Sequence, residues 1–182
     1  MDQHTWWYLS RASGMVAWVL MGATCLWGIL LVTRMLKPAD RPAWLLDLHR
    51  HLATLSILTV AGHMAALVAD NNPYVAPFGW KALFIPQGSK WEPVAVTWGV
   101  IAMYLLALVQ LTSLIMKKLP KKFWRAIHLT SYVSFGTATV HGFMAGSDSA
   151  NVAFLVIGSA AIGIVAFALI ARILQARAKR LP

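Results

Sequence analysis

Five apolar stretches, each long enough to cross a bilayer, limit this chain more than any other feature. They cover about residues 12–36, 45–69, 94–116, 124–145 and 152–174. At about 1.5 Å of rise per residue, helices of about 22–25 residues span a hydrocarbon core of about 30 Å. Composition agrees: of 182 residues, 59% are hydrophobic and only 12% charged, with a mean hydropathy of +0.64, far from a soluble domain. The expected fold is all-α, an integral membrane bundle of about five transmembrane helices in one domain over residues 1–182. The first run is too long, and its start too poor in basic residues, for a cleavable signal peptide. A formal net charge of +10 would suggest nucleic acid in a soluble protein. Here it belongs to basic loops, and no nucleic-acid partner is expected. Cys25, the single cysteine, leaves no internal disulfide and no cysteine metal cluster; it reads as mid-helix packing.

Charge asymmetry gives the expected orientation. Arg34, Lys37, Arg41 and Arg50 surround the first connection, and Lys117, Lys118, Lys121, Lys122 and Arg125 the third. Arg172, Arg177, Lys179 and Arg180 close the chain. The opposite side carries only Arg11, Lys81 and Lys90, offset by Asp2, Asp70, Glu92 and Asp148. The excess of basic residues belongs inside, so the N-terminus is expected outside and the C-terminus in the cytoplasm. Trp6, Trp7, Trp80, Trp91, Trp98 and Trp124 fall near the interfaces. The connection 70–93 holds Asn71, Asn72, Pro73, Pro77, Pro86 and Gly88 and is expected at the surface, with a short interfacial segment around "FGWKALFIP". Pro93 suits the first turn of the third helix.

Against this background the histidines stand out. His49 and His51 lie at the inner start of the second stretch, "DLHRHLATLSILTVAGH". His63 follows His49 by fourteen residues, about 21 Å further along a helix. His128 lies at the inner end of the fourth stretch and His141 near its outer end. The two stretches run in the same direction, so His49 is level with His128, and His63 with His141. Ionisable groups in lipid are costly and mark function. A six-coordinate haem takes one imidazole from each face, and two such pairs suit two haems stacked across a bilayer. His49 and His63 differ in direction by about 40° on a straight helix, against about 120° for His51 and His63, so His49 is the better ligand. His128 and His141 are about 140° apart, and Gly136 between them offers a bend. The competing readings are a proton path or a structural role. His51 reads as a polar interfacial neighbour, and His4 as part of the external tail. Leu55, Leu58, Tyr132, Phe135 and Thr139 are candidates for the space between the two tiers, and ordinary core residues as well. Gly14, Gly22, Gly28, Gly158 and Gly163 suit close helix packing, and Gly142 would give room beside His141.

The motifs "WYLSRASG", "LHRHL", "WRAIHLTSY" and "HGFMAGSDS", with the fourteen- and thirteen-residue histidine spacings, cover about residues 6–172. They resemble the ferric reductase-like transmembrane domain. That superfamily includes ferric reductases, NADPH oxidases and the haem subunit of a periplasmic methionine sulfoxide reductase system. The likeness is to short bacterial members without an attached flavin domain. The resemblance implies two b haems, with iron held by His49 and His128 in the inner tier and by His63 and His141 in the outer. It further implies transmembrane electron transfer outward, in a multi-pass protein of the bacterial inner membrane. Haem propionates are anionic and want basic partners: Arg50 and Arg125 are placed for the inner haem and Arg11 for the outer. The competing reading for all three is interfacial anchoring. In the oxidases an arginine matching Arg11 sits beside the outer haem.

Departures qualify the likeness. Leu67 stands where the oxidases carry a further histidine, which argues against deliberate superoxide production. Five stretches stand where larger members often have six helices. With no "GxGxxG" loop, the electron donor is expected to be separate, a flavin reductase or a quinone. The outer-face acceptor would be ferric iron, a flavin-binding protein or a soluble reductase. Membrane lipid surrounds the chain. Alternatives are a quinone-linked cytochrome b subunit of a larger redox complex, a haem-sensing or haem-handling membrane protein, or a transport or scaffold protein without haem.

Overall fold

In hydrocarbon a backbone must satisfy its own N–H and C=O groups, so long apolar runs become helices. The computed structural model describes residues 5–37, 41–70, 79–148 and 150–178. His4, Asp2, the Asn71, Asn72, Pro73 and Pro77 part of the long connection, and Lys179 and Arg180 lie outside these residues. The described residues fold into seven helices: α1 Thr5–Thr33, α2 Pro42–Ala69, α3 Trp80–Phe84, α4 Pro93–Leu114, α5 Lys121–Leu129, α6 Ser131–Ala145 and α7 Val152–Ala178. A 3₁₀ turn, Met116–Lys118, follows α4. Four of them, α1, α2, α4 and α7, are individually long and apolar enough to cross a membrane. The chain is a multi-pass, all-helical membrane protein.

Local chemistry sets the boundaries. α2 and α4 each begin with proline, which has no N–H to leave unpaired in a first turn. α1 starts at Thr5, not near residue 12. The polar stretch Ser10–Arg11–Ser13 does not break it, because Ser10 is buried and Arg11 pairs with Asp148. It stops at Thr33, not 36, because Arg34 takes a left-handed φ of 56° and its N–H closes on the Leu30 carbonyl at 3.0 Å. The expected interfacial segment is α3, held to α4 by Tyr104, whose hydroxyl donates to the Phe84 carbonyl at 2.7 Å.

The expected fourth stretch is divided, and not at Gly136, which lies within α6. The division is at Thr130. Its N–H donates to the Ile127 carbonyl at 2.9 Å and its Oγ1 to the same oxygen at 2.7 Å. This three-residue closure competes with the helical ladder and separates α5 from α6.

The helices pack chiefly as two antiparallel pairs, α1 with α2 and α4 with α6, and α1 also touches α6 and α7. The seams are built from small residues: Ala17, Gly22, Ser56, Ala66, Ala95, Ala102 and Ser134 are all buried. Lipid tails are as apolar as leucine, so close backbone approach and interhelical hydrogen bonds hold such seams. Bulky apolar side chains point outward, among them Leu111 and Phe167. Leu55 and Leu58 are among them, so they do not fill the space between the histidine tiers. That space holds a core of Met21, Cys25, Phe135 and Val165, with Trp18 stacked on Phe135 at 5.8 Å.

Ser134, 1% exposed, donates to the Ala102 carbonyl at 2.9 Å across the α4–α6 seam. Ser134→Ala should lower stability by about 0.6–1 kcal/mol, seen as an earlier denaturation midpoint in mixed micelles. Ser134→Leu should cost more, because the seam has no room for the larger side chain.

Candidate functional site

The two helix pairs bring four histidines into two facing couples. The rings of His49 (α2) and His128 (α5) lie with centroids 6.0 Å apart, and those of His63 (α2) and His141 (α6) 6.3 Å apart. His51 is exposed, with Nδ1 at 3.3 Å from the Asp47 carbonyl of its own helix, and belongs to neither couple. The division at Thr130 accounts for the awkward thirteen-residue spacing, since His128 and His141 sit on separate helices.

Three of the four rings are held in the same way. Nδ1 of His63 lies 2.8 Å from the Ser10 carbonyl, Nδ1 of His49 3.1 Å from the Thr24 carbonyl, and Nδ1 of His141 2.8 Å from the Ala95 carbonyl. A carbonyl can only accept, so each Nδ1 carries the proton and each Nε2 keeps its lone pair. Each of these carbonyls belongs to a helix and lies four residues before a glycine: Gly14, Gly28 and Gly99. A Cβ built on those glycines would stand 3.1 Å from His63, 3.2 Å from His49 and 2.9 Å from His141. The helix already uses one lone pair of the carbonyl for the N–H four residues on. The missing side chain at that residue opens the second lone pair to the imidazole.

His128 is held differently. The Ser113 hydroxyl donates to the Val109 carbonyl at 2.7 Å, which leaves its oxygen to accept from His128 Nδ1 at 3.3 Å. Trp124, one turn before His128, stacks on its ring at 5.0 Å, and its Nε1 lies 3.5 Å from the same Ser113 oxygen.

The donor set fits bis-imidazole ligation of a metal. A metal–imidazole nitrogen bond of about 2.0 Å on each side puts two opposed ring centres about 6 Å apart. His63 and His141 line a mostly apolar cavity of about 220 Å³, with Arg11 and Asp148 among its walls. Among the described residues two buried side-chain polar atoms have no partner. Trp27 Nε1 lies next to Gly28 in the chain, and Asp148 Oδ2 lies at the cavity. The indole N–H suits an anionic acceptor such as a propionate. The Asp148 oxygen wants a donor instead.

The arginines fall in three different settings. Arg11 lines the cavity and is ion-paired to Asp148. Arg50 is exposed and lies 3.6 Å from Asp47 on its own helix. Arg125 is exposed on α5. The sequence reading passed over Arg172. Its guanidinium donates to the Tyr132 hydroxyl and lies 5.8 Å over that ring, close enough for its charge to act on His128. Its signal was available: it is the one charge inside the apolar run 152–174. Trp18, whose Nε1 donates to Thr139 Oγ1 at 2.8 Å, was also passed over, because the first stretch holds no histidine to draw attention to it. Gly142 lines the cavity and Gly158 packs on Phe143, whereas a Cβ on Gly163 would meet nothing.

The glycine arrangement has a direct test. Gly99→Ala should displace His141 and, on the two-haem expectation from the sequence, lower haem content by about one per chain in a pyridine haemochrome assay. Gly163→Ala, with no atom within 4 Å of the added carbon, should leave it unchanged.

Compared with known families, residues 13–139 match the family described as ferric reductase like transmembrane component. The match includes His49, His63 and His128 and ends two residues before His141. No curated protein and no solved structure matches the chain.

Proposed function

The chain belongs to the ferric reductase-like transmembrane family, and on that premise we propose that it carries electrons across a bacterial inner membrane through two bis-histidine b haems. The observation that carries this reading is the pair of facing imidazole couples at 6.0 and 6.3 Å, three of whose four rings have Nδ1 on a backbone carbonyl. Bound haem iron supplies reversible one-electron chemistry at each tier.

The protein's part is to hold, space and insulate. His49 and His128 hold the inner tier, and His63 and His141 the outer. On α2 the tiers are fourteen residues apart, about 21 Å along the axis. Trp18 and Phe135 fill the interval with stacked aromatic rings and exclude water from it. Arg11, tied to Asp148, stands at the outer tier, and Arg172, with Tyr132, at the inner. Electrons enter on the basic, cytoplasmic side from a separate flavin reductase or quinol and leave to an acceptor outside, such as ferric iron, a flavin-binding protein or a soluble reductase. The basic-side assignment rests on the charge asymmetry of the connections.

Haem content per chain tests this. Wild-type protein purified in detergent should hold two b haems. His63→Ala and His128→Ala should each hold about one, with the remaining haem low-spin in its absorption spectrum. One haem in the wild type, or none, would replace the two-tier reading with sensing, proton handling or a structural role for the histidines.

A further inference from the structure

His128 differs from the other three histidines in what carries it as well as in what holds it. It sits on α5, nine residues long, cut off from α6 by the closure at Thr130 and containing no fully buried residue. Trp124, Ile127 and His128 turn inward at a helical spacing, and Lys121, Lys122 and Arg125 turn outward and are exposed. Lys117 and Lys118, just before α5, are exposed too. Five cations thus stand within nine residues. The sequence holds no acidic residue between Glu92 and Asp148, so this segment brings no counter-charge of its own.

Apolar side chains interleave with the cations. Ile115, Met116, Phe123 and Leu129 are all exposed. Basic residues alternating with exposed aromatic and aliphatic ones, on a short helix flanking a membrane span, suit a lipid interface. The apolar groups enter the acyl boundary and the cations reach anionic headgroups.

We propose that the segment 115–129 docks on anionic phospholipid headgroups of the cytoplasmic leaflet, and that this docking holds His128 in the inner tier. The proposal rests on the two-haem reading above. The other three rings are fixed by carbonyls of helices packed within the bundle. The His128 ring is fixed by one serine oxygen and by Trp124 of its own helix, so the position of α5 decides whether the ring stays in place. Headgroups that neutralise the lysines anchor α5, and Trp124 passes that anchoring to His128.

The test uses the full-length haem-loaded protein in nanodiscs of phosphatidylcholine alone, or of phosphatidylcholine with phosphatidylglycerol, at low ionic strength. The high-spin haem fraction, read by absorption and electron paramagnetic resonance, should be about fivefold or more greater without phosphatidylglycerol. Raising salt in the anionic discs should reproduce the phosphatidylcholine result, because screening weakens the headgroup contacts. The effect should persist in His63→Ala, whose remaining haem is the inner one. K121Q/K122Q in anionic discs should behave like wild type in phosphatidylcholine. The wild-type lipid comparison stands alone if that variant does not fold. Identical low-spin spectra of two haems in every lipid would overturn the lipid role and leave the two-haem reading intact. If, in addition, reduction by a soluble flavin reductase were slowed by salt and by K121Q/K122Q, the same face would be a protein-docking surface and the lipid proposal would fall. Absence of haem in every lipid would overturn both.

Discussion

A backbone carbonyl that accepts two hydrogen bonds underlies this structure. Ser10, Thr24 and Ala95 each give their carbonyl both to the helix and to an imidazole N–H. The second bond fixes the tautomer, aims the ring and leaves Nε2 free for a metal. It also fixes how the helices meet. The imidazole reaches the carbonyl only if the helices approach closely, and they do so because Gly14, Gly28 and Gly99 carry no side chain. Histidine placement and helix packing are therefore one event. The α1–α2 seam is closed twice in this way, and the α4–α6 seam once, with the Ser134–Ala102 bond further along it.

The two pairs divide the work between them. α1 and α2 present His49 and His63 from one rigid face. α4, α5 and α6 present His128 and His141 from the other, but through two helices with a closure between them. One wall of the site is a single piece and the other is jointed. The joint lies at the end of the molecule richest in lysine and arginine. Its histidine, His128, is also the one whose Nδ1 rests on a side-chain oxygen.

Much of this was legible in the sequence, for physical reasons. Lipid forces any apolar run of sufficient length into a helix, so α2, α4 and α7 were read to within a few residues of their ends, whereas α1 begins seven residues before its expected start. Histidine is conspicuous in such runs, so His49, His63, His128 and His141 could be paired by depth alone. What the sequence hid was lateral. Position along the second helix, between His49 and His63, made Leu55 and Leu58 candidates for the space between the tiers, but their side chains are exposed. Trp18 and Arg172, on helices without histidines, supplied the contacts instead. The break at Thr130 was missed because Gly136 was the more obvious weak point. A threonine hydroxyl competing for its own helix carbonyl leaves no mark on a hydropathy profile. Gly99 went unremarked because its role depends on a ring from another helix.

Because the acceptors at positions 24 and 95 are main-chain atoms, side-chain drift there leaves the orienting contact in place. Any residue that keeps the helix supplies the same oxygen. The selective burden falls four positions downstream, on Gly28 and Gly99, where even a methyl group would stand about 3 Å from the ring. A set of orthologues should then vary freely at the residues that bond the imidazoles and be fixed at residues that make no bond to them. His128 reverses this arrangement. Its acceptor, the Ser113 hydroxyl, is itself genetically encoded, so among the four histidines it is the one whose hydrogen-bond partner evolution can change by a single substitution without disturbing the helix that carries it.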